Sequence, residues 1–477
     1  MPGPSTSTSR RWWTLATVSL TQLLMVLDGT IVNVALPSAQ ADLGFTDASR
    51  QWVVTAYALA FGSFLLLGGR VADFVGRKRV FLAGLAVFAI GSAWGGLTHS
   101  GAELLAARGL QGLAAAFMAP AALAFVTLTF PDGNERNKAF AIFGSLAGAG
   151  SAIGMLLGGV LTEFFSWRWC LLVNVPFAIA GLVAGFVLLP ESRAQGDRRY
   201  DIAGALTATL GFGALVYGLT LAEQSWTSVW TVGSIVLGLV LIAGFVVIEG
   251  RVAHPLLPLR ILTHRTRAAS FTVQALLGVV GVGAMVYLAL HLQLVLKLPP
   301  LLAGLGTLPF TLSLMTAVPF AIRLIDRFGP RRQMIFGPLI SAIGVFLLSR
   351  ITVGGDYWTQ VLPGVVLMGL GMGFTVVPLN NLALAGIDPH DAGVASATAT
   401  ATNQLGGSIG LAALTALYVA VAGKAGEGVA AMVAGYSAVF TAGAVVFVAA
   451  AVTAALLLKP SREAVAEVGE PVAPVLG

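Results

Sequence analysis

Apolar residues in this chain come in long unbroken runs, unlike the stripes of a surface helix or the alternation of a half-buried strand. The runs fall at about 13–36, 51–72, 80–98, 104–130, 138–164, 169–189 and 202–222, then 229–248, 268–292, 302–325, 334–351, 361–385, 394–422 and 436–458. Each is long enough to cross a hydrocarbon layer of about 30 Å as a helix. In lipid the backbone must satisfy its own polar groups, so the pattern predicts an all-α integral membrane protein with fourteen spans.

The polar breaks alternate in charge. One set carries Arg10 and Arg11, Arg70 to Arg79, Arg136 and Lys138, Arg193 to Arg199, Arg251 to Arg267, Arg323 to Arg332, Lys459 and Arg462. The other holds Arg50, Arg168, Lys297, Arg350 and Lys424, so about 21 basic residues face 5, with Arg108 alone inside a span. Basic loops stay in the cytoplasm, which puts both termini there and requires an even number of spans in a multi-pass protein of the cell membrane. The net charge of +6 is therefore a topology signal, and no nucleic-acid partner is expected. Arg10 and Arg11 before an apolar run look superficially like a secretory signal. That run exceeds the usual ~7–15 residues and contains Asp28, so the first helix is expected to remain.

A short device occurs twice. Gly69-Arg70-Val71-Ala72-Asp73-Phe74-Val75-Gly76-Arg77-Lys78-Arg79 follows the second run, and Asp326-Arg327-Phe328-Gly329-Pro330-Arg331-Arg332 follows the tenth, 253 residues on. Such duplication suggests two equivalent halves about a midplane site. The expected divisions are an N-tail at 1–12, a six-helix bundle at 13–190, a polar linker with two extra spans at 191–267, a second six-helix bundle at 268–458 and a tail at 459–477. The two extra spans carry few polar groups and no repeat signature, so they look inserted.

Composition narrows the chemistry. The chain is 57% hydrophobic, 10% charged and contains 58 glycines, far from a soluble protein and in keeping with tightly packed membrane helices. One cysteine, scattered histidines and no phosphate-cradling loop exclude an internal disulfide, a metal cluster and an ATPase of its own, so neither metal nor cofactor is expected beyond a proton gradient. No nucleophile–base set lies at one membrane depth, so the chain is not expected to be an enzyme.

Against this background Asp28 stands out. A carboxylate inside a span costs roughly 2.5–3.5 kcal/mol by insertion scales and belongs against a protein or water-filled interior. A carboxyl that alternates between wet and dry surroundings, near a cation or away from it, can take up and release a proton. Arg108 is the candidate cation, and Gln111 and Gly112 share its helix face. A static pair or packing bonds to Thr30 or Asn33 would explain the same residues structurally. Gly76 permits a tight turn, Asp73 can cap a neighbouring helix and Arg77 can pair with a carboxylate across the cytoplasmic gate, whereas a plain positive-inside loop would explain the basic residues but not Asp73 or the glycines. Gly144, Gly148, Gly150, Gly154, Gly158 and Gly159 form a smooth stripe, suited either to close packing or to sliding.

Four motifs in order then show a resemblance. Leu27 to Pro37 matches L-D-x-T-I-V-N-V-A-L-P, Gly69 to Arg79 matches G-x-x-A-D-x-x-G-R-K, and Arg108 to Gly112 matches R-x-x-Q-G. Gly150, Gly154, Gly158 and Gly159 match the glycines of G-x3-G-P-x2-G-G. The chain resembles the fourteen-span drug:proton antiporters of the major facilitator superfamily from about residue 12 to 458. The resemblance implies proton coupling at Asp28 and Arg108, a cytoplasmic gate at Gly69, Asp73, Gly76, Arg77 and Lys78 repeated at Asp326 and Arg331, and an antiporter helix at the four glycines. Met155 stands where the pattern has proline, so this helix is expected to run straighter.

Transporter sites lie near the midplane and drug-like pockets are mostly apolar with a few polar groups. Candidate substrate contacts are Asn33, Gln51, Thr55, Gln111, Tyr287, His291, Asn380, Asn403 and Gln404, with His291 expected as a satisfied end-of-helix residue. With no second mid-span carboxylate, small lipophilic compounds are favoured over polycations. The expected function is proton-driven export of such drugs by alternating access, by a monomer in the bilayer. Export of one endogenous metabolite or lipid-like product, proton symport and membrane-embedded enzyme activity are the alternatives.

Overall fold

The computed structural model describes residues 8–130, 133–193, 201–222, 225–252, 255, 257, 259–383, 387 and 392–458, and among them there is no strand. Fourteen long helices follow one another on the fourteen apolar runs. They are α1 (Thr8–Leu43), α2 (Trp52–Val75), α3 (Arg77–Gly96), α4 (Gly101–Thr129), α5 (Gly133–Phe164), α6 (Asn174–Leu188) and α7 (Ile202–Leu221). After them come α8 (Val229–Glu249), α9 (Arg265–Leu290), α10 (Pro300–Phe328), α11 (Pro330–Leu348), α12 (Leu362–Ala383), α13 (Ala392–Ala425) and α14 (Val429–Leu457). Among the described residues eleven helices are long and apolar enough to cross a membrane, and α2 taken across its bend makes twelve. The others, α5 and α7, qualify only as shorter apolar stretches there. The chain is a multi-pass, all-α membrane protein.

Local chemistry sets the helix ends. Ser100 caps α4 by accepting from Glu103 N (3.3 Å), and the Glu103 carboxylate accepts from His99 N and the Thr98 hydroxyl, so early donors are satisfied reciprocally. The duplicated loops share one corner. Gly76 between α2 and α3 has φ 118°, and Gly329 between α10 and α11 has φ 76°, a region side chains with a Cβ rarely adopt.

The duplication extends to packing. In the first six helices α1 packs on α4, α5 and α6, α2 on α4, and α3 on α4 and α6. Eight helices further on, α9 packs on α12, α13 and α14, α10 on α12, and α11 on α12 and α14. These contacts coincide once each helix is shifted by eight, although α13 also packs on α14 and no comparable α5–α6 contact occurs among the described residues. The two sets meet along two seams related by the same shift, α5 on α10 and α2 on α13.

The extra pair, α7 and α8, packs on itself and lays α7 against α2 and α13, where Thr209 donates to Ser63 O (3.3 Å). Its outer face exposes Val236, Leu237 and Val240, as a lipid-facing surface does. The pair therefore rests on one of the two seams.

The sets are joined most tightly at the end opposite the Arg70–Arg79 loop. One continuous apolar core there combines Ile31, Leu36 and Met155 with Leu288, Leu292 and Ala303. Gln293 Nε2 donates to Val34 O (3.1 Å), Leu301 N to Glu163 Oε2 (2.9 Å), and the Thr307 hydroxyl to Met155 Sδ (3.1 Å). A second core, built on Leu15, Phe81, Phe88 and Phe125, belongs to the first set apart from Ala401.

Candidate functional site

Asp28 sits fully buried at the meeting of α1, α4 and α6. Its Oδ2 accepts from Arg108 Nη1 at 2.6 Å, and its Oδ1 accepts from Gln111 Nε2 at 3.0 Å and Asn174 Nδ2 at 2.6 Å. Arg108, on α4 and 1% exposed, donates Nη1 also to Gln111 Oε1 (2.9 Å) and Nε to Val53 O (3.1 Å). Its guanidinium lies over the Tyr57 ring, 4.5 Å from the centroid. Gln111 completes the network by donating to Ser92 Oγ (2.8 Å). Burying two charges is unfavourable unless the pair is close and its remaining valences are satisfied, and this network meets both conditions. An ionised carboxylate only accepts, and three donors converge on it. A proton on Oδ2 would point an O–H at the Arg108 donor and remove the charge that holds it, so it would weaken this pair.

The structure thus brings Asp28, Arg108 and Gln111 together, as expected from the sequence, and adds Asn174, Ser92, Tyr57 and the Val53 carbonyl. Asn174 was legible as a polar residue opening an otherwise apolar run. Tyr57 and Ser92 carried no such signal, because hydroxyls occur throughout these helices.

The glycine stripe explains how α1 is held. A Cβ on Gly150 would meet Val26 at 3.2 Å, on Gly154 the Thr30 hydroxyl and Leu27 O (2.9 Å), and on Gly158 Ile31 O (2.7 Å). These three glycines let α5 approach the turns of α1 on either side of Asp28. A Cβ on Gly159 would instead lie 2.7 Å from Leu301 Cα on α10. Met155 is buried on the same seam, its carbonyl 2.5 Å from where a Gly304 Cβ would lie, and α5 is a single helix from Gly133 to Phe164.

At the basic end the arrangement differs from the expected capping. Asp73 Oδ1 accepts twice from Arg77, from Nε at 3.0 Å and Nη2 at 2.7 Å, so both residues are engaged with each other across the Gly76 corner. The corner is pinned within the first set by Arg77 N to Ser192 O (3.0 Å), Lys78 Nζ to Phe186 O (2.7 Å) and Arg79 with Glu191 (3.4 Å). Gly69 lies against Pro120. In the second set Arg331 Nη2 donates to Ala455 O (2.8 Å), and the Asp326 side chain lies outside the described residues.

The expected substrate residues are dispersed. Asn33 and Thr55 are buried, and Oδ1 and Oγ1 have no partner among the described residues, which leaves capacity for water or substrate. Gln51 is buried at the start of α2. Tyr287 belongs to a second buried group. Its hydroxyl donates to Thr415 Oγ1 (2.8 Å), its ring packs on Tyr418 and Tyr436, and His291 meets Tyr436 edge-on at 6.2 Å. His291 caps the C-terminus of α9, where a π-helical turn begins, and is 1% exposed; among the described residues its Nδ1 has no hydrogen-bond partner. Asn403 donates to Gln274 O (3.2 Å), Gln404 lies beside Gly62 on the α2–α13 seam, and Asn380 is exposed near the end of α12.

Comparison with known proteins agrees with this architecture. Residues 18–411 match the sequence profile of the Major Facilitator Superfamily. The Puromycin resistance protein pur8 of Streptomyces alboniger is 42% identical over 472 residues, 96% of this chain and 94% of that protein. The Cephamycin export protein CmcT of Amycolatopsis lactamdurans is 40% identical over 420 residues, 86% of each chain. The crystal structure of an auto-inhibited POT family peptide transporter superposes with a TM-score of 0.68 at 19% identity, covering 94% of this chain and 96% of that one, which is a likeness of fold.

Proposed function

The chain belongs to the major facilitator superfamily, a family of transporters rather than enzymes, and from that membership we propose that it is a proton-coupled antiporter exporting small lipophilic antibiotics or similar drugs. The observation that carries the reading is the buried Asp28–Arg108–Gln111–Asn174 network, in which a proton and the ion pair compete for one carboxylate. Protonating Asp28 removes the charge that holds Arg108, and the three helices it links are free to take a second arrangement. Binding of substrate and of proton then favour different states, which is the differential affinity that coupling requires. The names of the relatives, for puromycin resistance and cephamycin export, supply the substrate class.

The two six-helix bundles, 13–190 and 268–458, rock about a midplane site, with 191–267 inserted between them. By the distribution of basic loops the joined end is extracellular, so the described conformation has its outer gate closed. Gly69, Asp73, Gly76, Arg77 and Lys78 form the cytoplasmic gate element, with Asp326 and Arg331 in the equivalent place. Gly150, Gly154 and Gly158 form the surface on which α1 and α5 shift, and Gly159 joins α5 to the opposite bundle. The polar groups of Asn33, Thr55 and Gln51, with Tyr287, His291, Asn380, Asn403 and Gln404 from the second bundle, are the substrate-contact candidates. The protein acts as a monomer in the cytoplasmic membrane.

The test is transport in proteoliposomes with an imposed proton gradient, paired with a susceptibility panel in cells lacking other pumps. Substrate-dependent proton flux without chemical change in the substrate is expected. Efflux that ignores the gradient refutes proton coupling, and protection against one compound alone would make the protein a dedicated exporter.

A further inference from the structure

The inserted hairpin carries a second buried acidic site that the mechanism above does not use. Asp201 precedes α7 and Glu249 ends α8, and their side chains, 6% and 3% exposed, come together beneath the end of the pair. Each carboxyl has one oxygen engaged. Asp201 Oδ1 accepts from Gly204 N (2.7 Å) at the start of α7, and Glu249 Oε2 accepts from Leu257 N (3.0 Å). The other two oxygens, Asp201 Oδ2 and Glu249 Oε1, are buried with no hydrogen-bond donor among the described residues. They converge on one point. A Cβ added to Gly204 would collide with Asp201 Oδ2 and lie 2.9 Å from Glu249 Oε1.

Two acceptor oxygens facing each other in a dry site cannot both belong to ionised groups without strong like-charge repulsion. A single proton resolves both problems, because an O–H on one carboxyl donates to the facing oxygen of the other. The charged groups facing Glu249 among the described residues are Asp201 and Arg70. Among the described residues Arg70 forms no ion pair with either carboxylate, and its Nη2 donates to Pro255 O (2.7 Å).

We propose that Asp201 and Glu249 are a second proton-binding site, separate from Asp28, which holds one shared proton where the hairpin is fastened to α2. Leu257, bonded to Glu249, lies two residues from Pro255, which accepts from Arg70, the second residue of the Gly69–Arg79 stretch on α2. Loss of the shared proton places a second negative charge near Arg70 and draws its guanidinium from the Pro255 carbonyl toward the carboxylates. Since α7 also lies on the α2–α13 seam, proton occupancy at this pair sets how firmly the hairpin grips the seam.

Infrared difference spectroscopy on the purified full chain in lipid, titrated between about pH 5 and pH 9, reads the proton directly, in the range where buried carboxyls titrate. The wild type should show a carboxylic-acid carbonyl band near neutral pH that shifts in heavy water. The band should be lost in Glu249→Gln and in Asp201→Asn and kept in Asp28→Asn. No such band, or a band lost only in Asp28→Asn, overturns the proposal. Gly204→Ala, which wedges a methyl between the two oxygens, should shift the titration, and an unchanged titration in a folded Gly204→Ala protein also counts against it. The readout needs no transport, so it stands or fails independently of the antiport reading.

Discussion

Replacing Asp28 with Asn changes little in shape and much in electrostatics. The carboxylate now accepts from Arg108, Gln111 and Asn174. An amide offers one acceptor oxygen, and its NH2 must face a donor, so at least one bond is lost and the 1%-exposed guanidinium keeps no counter-charge. Breaking a buried pair from one side costs about 3–5 kcal/mol, a large share of the ~5–15 kcal/mol by which a folded protein is stable. Asp28→Asn is therefore expected to unfold at lower temperature in detergent and to give less protein. Arg108→Met should do the same, since it leaves the carboxylate unpaired. Combining them removes both charges, and Gln111 and Asn174 can still satisfy an amide at 28. The double variant should recover most of the loss, with a coupling energy of about 3 kcal/mol in the double-mutant cycle. Neither Asp28→Asn nor the double variant should move protons with substrate. Additive destabilisation would refute the account of the pair. Full substrate-dependent proton flux in folded Asp28→Asn vesicles would refute the role given to Asp28.

Two further substitutions probe the helices around it. In Gly158→Ala the new methyl lies 2.7 Å from Ile31 O, so α5 must move off α1 at a cost of about 1–3 kcal/mol, whereas Gly109→Ala meets nothing and should be neutral or gain about 0.5–1 kcal/mol. Equal thermal stabilities for the two would contradict the packing. At the closed end, Glu163→Ala with Gln293→Ala removes two bonds between the sets, one of them charge-assisted. Because the Glu163 carboxylate is exposed, together they contribute roughly 1–2 kcal/mol, enough to raise an outward-open population about tenfold. A Met155→Cys reporter in a Cys170→Ser background should then react faster with an impermeant maleimide, and unchanged labelling would show that the apolar core alone holds that end shut.

The long apolar runs determined the membrane setting and the positions of all fourteen helices, because a backbone in lipid can satisfy itself in few ways. The paired loops with Asp73 and Asp326 made the duplication visible, and a lone Asp28 in an apolar helix marked the centre of the chemistry. Arg108 could be named from the sequence as the candidate partner, but the geometry of the pair and its further donor Asn174 could not. Arg108 lies 80 residues from Asp28 and Asn174 lies 146, and only the packing of α4 and α6 on α1 brings them to one carboxylate. The loop at Asp73 shows the same limit. Its residues were identifiable, yet whether Asp73 caps a distant helix or binds Arg77 depended on a corner at Gly76 and on what lay behind it. Asp201 and Glu249 are the sharpest case. At the ends of spans 48 residues apart they read as ordinary flanking charges, and only the antiparallel closure of α7 on α8 buries them against each other. Hydrophobicity is a property of each segment and survives in one dimension. A buried charge is defined by its neighbours, and those are assigned in three.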